Sequence, residues 1–415
     1  MQQKSREKVL FEKYLRRTNK LLNITGIHLN EKDSNRSLTQ RLRHRWFYCI
    51  NTIWLYTAII GQIKWFMEAI TTNKGITEIT YFMPCITLCF IGYFKAYDFV
   101  KYAHCVNEVV DNLRKLQNMS LEKQKYRDEV EKEMLNNILR IYNIFTNLHV
   151  YTYFLGLLSF SIGPLLTMAV YYYSTGKIIY MLPFFIWYPL DKTKLINWVI
   201  IYIHQIWTAV IAVFTVLGSD NFFATCSTFV NIQFYCLHYD IEKIDTGTRN
   251  KKGRYVNYVF RGQFKQIIKR HKILIDCVNF METIYTKSIL FNVATSSVII
   301  CVTGFNIMII DHITMMIPFI FFLVAATLQI VVLCYYGDKI MQYSMEISDA
   351  VYNSKWYLAD AKIMKDLLFL SIRSRRACKI TAYQFTDLNL NTFGKIMGRS
   401  WSYFALLQTI YGRKN

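Results

Sequence analysis

Two uncharged stretches, Ser288–Ile310 and Ile313–Gly337, stand back to back with only Asp311 and His312 between them. Each is long enough to cross a bilayer as a helix, which takes about 20 apolar residues. In hydrocarbon every backbone N–H and C=O must be bonded internally, so such a pair reads as two membrane helices joined by a tight hairpin. The rest of the chain must therefore fold around a membrane.

Five further stretches share the pattern. Trp46–Ile63 is closed by Lys64 and Glu68, and Ile79–Phe94, with Pro84 inside it, is closed by Lys95 and Asp98. A third begins near Ile141. Its uncharged run reaches Gly176 with Pro164 late in it, so it is predicted to end near Leu166 and pass into an aromatic outer loop (YYYSTGKIIYMLPFFIWYPLDKTK). Leu195–Ser219 is the fourth, and helical apolar sequence continues to about His238, so this helix should project beyond the bilayer. Asn389–Tyr411 is the last.

With 53% hydrophobic and 16% aromatic residues the chain is far too apolar for disorder. A net charge of +21 fits nucleic acid or an anionic membrane surface, and its placement decides between them. Most of the 49 basic residues fall in four segments, 1–45, 101–139, 240–287 and 337–379. Basic loops stay cytosolic, which puts the N-terminus inside and the C-terminus outside. A G-protein-coupled receptor has the opposite orientation. The 101–140 segment alternates charges and reads as a solvated helical extension, and the basic run at 251–272 as a contact with anionic lipid rather than nucleic acid. Sequons at Asn23, Asn35 and Asn118 fall on the cytosolic side and should stay unglycosylated. The polar, basic start (MQQKSREKVLFEKYLRR) predicts no cleavable signal peptide. The ten cysteines form no CxxC pair, and Cys85 and Cys89 read as buried thiols. No phosphate-binding Gly loop, HExxH or GxSxG is present, so no cofactor, metal or enzyme activity is expected.

The final stretch carries the most information. At helical spacing Lys395, Arg399, Ser402, Leu406 and Ile410 share one side, while Trp401, Phe404, Ala405 and Leu407 fall mostly elsewhere. Polar groups inside a membrane are expensive and face protein or water. Two readings stay open: a helix packed among its sisters with charges reaching the interface, or a pore-lining helix whose narrowest ring is Leu406 and Ile410.

Two segments go beyond a generic membrane protein. One is LCYYGDKIMQYSMEISDAVYNSKWY (333–357); the other is NLNTFGKIMGRSWSYFALLQTIY. The spacing of Cys334, Gly337, Ser344, Ala350, Tyr352 and Trp356, followed by Ser402-Tyr403-Phe404, resembles the insect odorant receptor family. DSNRSLTQRLRHRWFY and LCFIGYFK are similar to moth tuning receptors, including pheromone receptors, whereas YFALLQTIYGRKN does not reproduce the Thr-Tyr…Gln-Phe ending of gustatory receptors.

The resemblance implies an all-α membrane protein of seven helices, with helices four to seven extended into a cytosolic anchor. It divides the chain into a cytosolic N-terminus (1–45), six spans with an outer-half pocket (46–336), the anchor (337–388) and the pore helix with its tail (389–415). The implied function is an odorant-gated, non-selective cation channel that forms a heterotetramer with the odorant receptor coreceptor in the plasma membrane of olfactory neuron dendrites. The implied gate is Leu406 and Ile410, with Ser402, Gln408 and Thr409 beside it, and Gly337, Tyr352 and Trp356 fall in the subunit interface. The implied pocket for a lipophilic volatile comprises Met83, Thr87, Tyr153, Gly156, Phe160, Tyr202, Ile206, Phe321 and Phe322, with helix packing as the competing reading for each. Lys395 and Arg399 oppose cation flow unless acids or vestibule water face them. His149 and His204 are expected to hydrogen-bond across helices. A gustatory-type channel and a secondary transporter are the alternatives; a transporter should show paired internal repeats, which the halves of this chain lack.

Overall fold

A computed structural model describes residues 2–29, 45–72, 75–121, 129–244, 257–310, 312–358 and 361–412. Asn35, Asp311 and the starts of both basic segments' linkers (122–128 and 245–256) lie outside the described residues. Ten α-helices account for nearly all the described structure. In chain order they are α1 Gln2–Asn23, α2 Trp46–Thr71, α3 Ile76–Lys101, α4 Ala103–Leu121, α5 Glu129–Thr175, α6 Leu195–Glu242, α7 Asn257–Ile309, α8 Ile313–Asn353, α9 Ala361–Ser374 and α10 Leu390–Gly412. One antiparallel bridge, Thr381 to Asp387, shapes the turn before α10.

Helices α5 to α8 have 47, 48, 53 and 41 residues. At 1.5 Å per residue they run roughly 60–80 Å, at least twice the ~30 Å hydrocarbon core of a bilayer. Each must therefore leave the membrane, and because they alternate in direction their polar extensions gather on one side. Helices α3, α5, α6, α7 and α8 are long and apolar enough to cross. The 26-residue α2 and 23-residue α10 are long enough but carry Lys64 and Glu68, and Lys395 and Arg399. An exposed apolar belt, including Ile53, Ile60, Tyr151, Phe154, Ile196 and Ile203, supplies the face that lipid would cover.

Helix α6 is the axis of the molecule. Every residue from Thr215 to Phe234 is buried, as expected for a helix that is apolar on all sides. It packs against α8, α3, α5, α1 and α7. Phe11 of α1 meets Phe229 edge-on at 4.8 Å, and Tyr142 of α5 bonds Thr225 at 2.9 Å.

Two expectations are corrected. The segment after α3 is not a solvated extension: α4 buries Val106, Val109, Val110, Leu113 and Leu116, a stripe at helical spacing, against α6 and α7. Its charged face is tied down as well, through Arg114 to Glu12 of α1 at 2.7 Å, and that carboxylate raises the guanidinium pKa. The third span does not end near Leu166. Helix α5 continues through Pro164 to Thr175, and hydroxyls bond to carbonyls beside the proline. Thr167 donates to the Gly163 carbonyl at 3.0 Å, and the Tyr202 hydroxyl of α6 donates to that of Ser161.

Gly337 of α8 lies against the backbone of Leu388, and a Cβ there would overlap the Leu388 carbonyl. Gly337→Ala is therefore expected to cost about 1–3 kcal/mol or more through overpacking, read as a lowered thermal midpoint of the detergent-purified chain. An unchanged midpoint would show that the 377–389 turn yields freely.

Candidate functional site

Between α3, α5, α6 and α8, under the loop 176–194, lies a cavity of about 50 Å³ with an almost wholly apolar lining. Four small residues keep its walls apart: Gly156 on α5, Ala209 and Ala212 on α6, and Ala325 on α8. Tyr153, Phe160, Phe321 and Phe322 supply aromatic walls. Both threonine hydroxyls in the lining are engaged, Thr152 with the His149 carbonyl at 3.0 Å and Thr208 with the His204 carbonyl at 2.8 Å. Gln62 of α2 is different. It is buried, its amide nitrogen faces Cys89 Sγ at 3.9 Å, and its Oε1 accepts from none of the described residues. The cavity thus offers hydrocarbon contact and one unused acceptor, which suits a small lipophilic molecule with a hydroxyl.

The loop closes the outer end. Phe184 and Ile186 line the cavity, and Ile186 is 1% exposed. Gln205 of α6, wholly buried, brackets Phe184 by accepting from its N–H and donating to its carbonyl, both at 3.0 Å. The Trp187 N–H donates to the Gly61 carbonyl at 3.0 Å, and Lys64 sits 3.2 Å over the Trp187 ring. Only a glycine at 61 lets the loop come so close, since a Cβ there would stand 2.7 Å from Ile186 Cγ2. At the far end of the loop Asp191 accepts from the N–H and hydroxyl of Thr193, which lowers its carboxyl pKa. Gln205→Leu removes both bonds to Phe184. Hydrogen exchange of the 180–188 amides is expected to speed up at least tenfold, and equal protection would show that side-chain packing alone holds the loop.

Of the residues the resemblance implies, Tyr153, Gly156, Phe160, Phe321 and Phe322 line the cavity. Met83, Thr87, Tyr202 and Ile206 do not. On α3 the cavity face is Cys85, Leu88 and Cys89, so Met83 is turned toward the Trp65–Phe82 cluster and Thr87 bonds back to the Met83 carbonyl at 2.7 Å. On α6 the face is Thr208, Ala209, Ala212 and Val213, one turn deeper than Tyr202 and Ile206. Gln62 and the loop residues carried no sequence signal, since only tertiary folding brings them in. Cys85 and Cys89 are buried free thiols, as expected. His204 bonds across helices to Thr57 at 3.0 Å and to Tyr188 of the loop at 2.9 Å, whereas the buried His149 Nε2 has no hydrogen-bond partner among the described residues.

Helix α10 packs one face on α7. Ser297 of α7 donates to the Ile396 carbonyl at 3.3 Å, and Phe305 meets Tyr411 edge-on at 5.6 Å. Lys395, Arg399, Ser402, Leu406, Gln408, Thr409 and Ile410 are all exposed in the single chain, with Leu406 59% and Ile410 43% accessible. At the opposite end of α8, Tyr352 (77% exposed) and Trp356 edge an open groove of about 660 Å³ between α8 and α9.

The family model for the seven-transmembrane odorant receptors matches residues 75–400, a stretch that includes every helix from α3 to α9 and the first half of α10. The chain belongs to the odorant receptor family. Odorant receptor 67c of Drosophila melanogaster is 26% identical over 360 residues, covering 85% of each chain. The solved insect olfactory receptor OR5 of Machilis hrabei superimposes with a TM-score of 0.77 over 97% of this chain and 100% of that one, at 16% identity. Its complex with eugenol gives the same TM-score at 17% identity. At such identity the likeness shows the fold, and that fold is the seven-span odorant receptor bundle. This odorant receptor is a multi-pass membrane protein of a receptor family, not an enzyme family.

Proposed function

We propose that this odorant receptor is the tuning subunit of an odorant-gated, non-selective cation channel. It works with the odorant receptor coreceptor as a heterotetramer, in the plasma membrane of an olfactory neuron dendrite, with its N-terminus cytosolic and its C-terminus outside. The observation that carries this reading is the enclosed aromatic cavity at Tyr153, Gly156, Phe160, Phe321 and Phe322. The solved relative bound to eugenol, a compact lipophilic volatile, supports it.

Burial supplies most of the affinity. A volatile that loses about 250 Å² of apolar surface gains roughly 6 kcal/mol before the costs of ordering are subtracted. A cavity of about 50 Å³ must widen to admit such a molecule, and it favours a compact odorant over a long-chain pheromone. Widening displaces α5 and α8 relative to α6, and an odorant that binds the widened state better shifts the population toward it. Helix α10 responds through α7 and α8, against which it packs. In the closed state an apolar ring of Leu406 and Ile410 would exclude water and ions without a charged plug. The exposed Tyr352, Trp356 and Leu368 give the anchor a surface for neighbouring subunits.

The test is odorant-evoked current in oocytes expressing this chain with and without an insect coreceptor, using small aromatics and medium-chain alcohols, ketones and acetates. Current only when both chains are present supports the reading. No current from any compound, with the chain shown at the cell surface, contradicts it.

A further inference from the structure

Beside the main cavity lies a second one of about 20 Å³, and Leu88, Tyr153, Phe322 and Ala325 line both. Their chemistry differs. Beyond the shared wall the small cavity reaches Asn292 and Ser296 of α7 and Gln329 of α8. Two of these polar groups are engaged: Ser296 donates to the Val293 carbonyl at 3.0 Å, and Gln329 Nε2 donates to Asp220 Oδ2 at 2.8 Å. Asn292 is not. It is 2% exposed and its Nδ2 has no hydrogen-bond partner among the described residues, so an amide donor is held out of water beside an empty space. The volume suffices for one oxygen-sized group and little more.

We propose that this small cavity is the polar subsite of the odorant pocket, where Asn292 Nδ2 donates a hydrogen bond to an acceptor oxygen of the ligand. The inference rests on the main cavity being the odorant site. The ligand class it selects is a compact ketone, aldehyde, ester or ether whose hydrocarbon body fills the main cavity and whose oxygen passes between Tyr153 and Phe322. The two cavities divide the work of recognition, since the main one offers hydrocarbon contact and an acceptor at Gln62, while the small one offers the donor that an acceptor oxygen needs.

The test compares two probes of one shape, methyl pentyl ketone and the hydrocarbon in which a methylidene group replaces its oxygen. The full chain is reconstituted in lipid nanodiscs and affinities are taken from ligand-induced thermal stabilisation. The hydrocarbon is the more hydrophobic of the two, so a pocket without a donor favours it. The native chain is expected to favour the ketone by about tenfold, because a site built to hydrogen-bond a group penalises the analogue lacking it. Asn292→Leu is expected to erase or invert that preference without weakening the hydrocarbon. Ala326→Leu, which fills the small cavity from α8, is expected to do the same and carries the test should Asn292→Leu fail to fold. A native chain that prefers the hydrocarbon, or a ketone preference that survives both substitutions, overturns the proposal. Parallel recordings separate it from the channel reading. A preference lost in the variants with no current from either probe upholds the subsite and counts against gating. Ketone-evoked current with the preference intact in both variants upholds gating and removes the subsite.

Discussion

Replacing Asp220 with alanine is expected to cost this receptor about 3–5 kcal/mol, the usual penalty for stripping one partner from a buried ion pair. Lys95 of α3 and Asp220 of α6 are each 2% exposed and form a direct salt bridge, and Asp220 also accepts from Gln329 of α8. Three helices that wall the cavity or its small neighbour are tied at this carboxylate. Without it the Lys95 ammonium is left with no counter-charge in a medium that solvates it poorly. The cost is a large fraction of a typical total stability of about 5–15 kcal/mol, so most Asp220→Ala chains should fail to reach the surface. Adding Lys95→Met removes the orphaned charge and should recover much of the loss, since apolar replacement of a whole buried pair is often neutral. Surface biotinylation and thermal midpoints of the two single variants and the double variant measure this. Equal surface levels for Asp220→Ala and the native chain would mean that water reaches the pair.

The second large effect concerns the exposed face of α10. Leu406→Ser combined with Ile410→Ser would replace the apolar ring with hydroxyls that keep a narrow pore wet. The expected result is a standing cation current without odorant, several-fold above that of the native channel, in oocytes that also express the coreceptor. If basal current stays at the native level while odorant still evokes a response, the gate lies elsewhere on the chain.

Much of the bundle could be read from the sequence because charge is so informative in a membrane protein. The uncharged runs before and after His312 mark α7 and α8, and the apolar stretch past Ser219 gives the long α6. Lys95 read as the polar end of a span, yet the structure buries it, because its partner Asp220 lies 125 residues away. The same distance problem hid the continuation of α5, whose Ser161 carbonyl is satisfied by Tyr202 of another helix. Helix α4 was misread for a local reason: its stripe from Val106 to Leu116 is interrupted by charges that themselves pair, as Arg114 does with Glu12. Of the pocket positions the resemblance implies, those on α5 and α8, Tyr153, Gly156, Phe160, Phe321 and Phe322, line the cavity. Those on α3 and α6 stand about one position round the helix or one turn from the lining residues, quantities that packing fixes and composition does not record. Asn292 was invisible for a related reason, because an asparagine in a span means little until its amide is seen to lack a partner.

The central claim is that the cavity at Gly156 receives the odorant and that its occupation opens the channel. Gly156 is the position to test, since a Cβ there would only touch Phe321 Cβ at 3.5 Å and the fold should tolerate it, while a larger side chain would fill the space. The measurement is the odorant concentration–response curve for Gly156→Leu and native chains, each with the coreceptor and matched for surface level. The account predicts that the response falls at least tenfold in sensitivity or vanishes in Gly156→Leu. An unchanged curve would contradict it and move the odorant site out of this cavity.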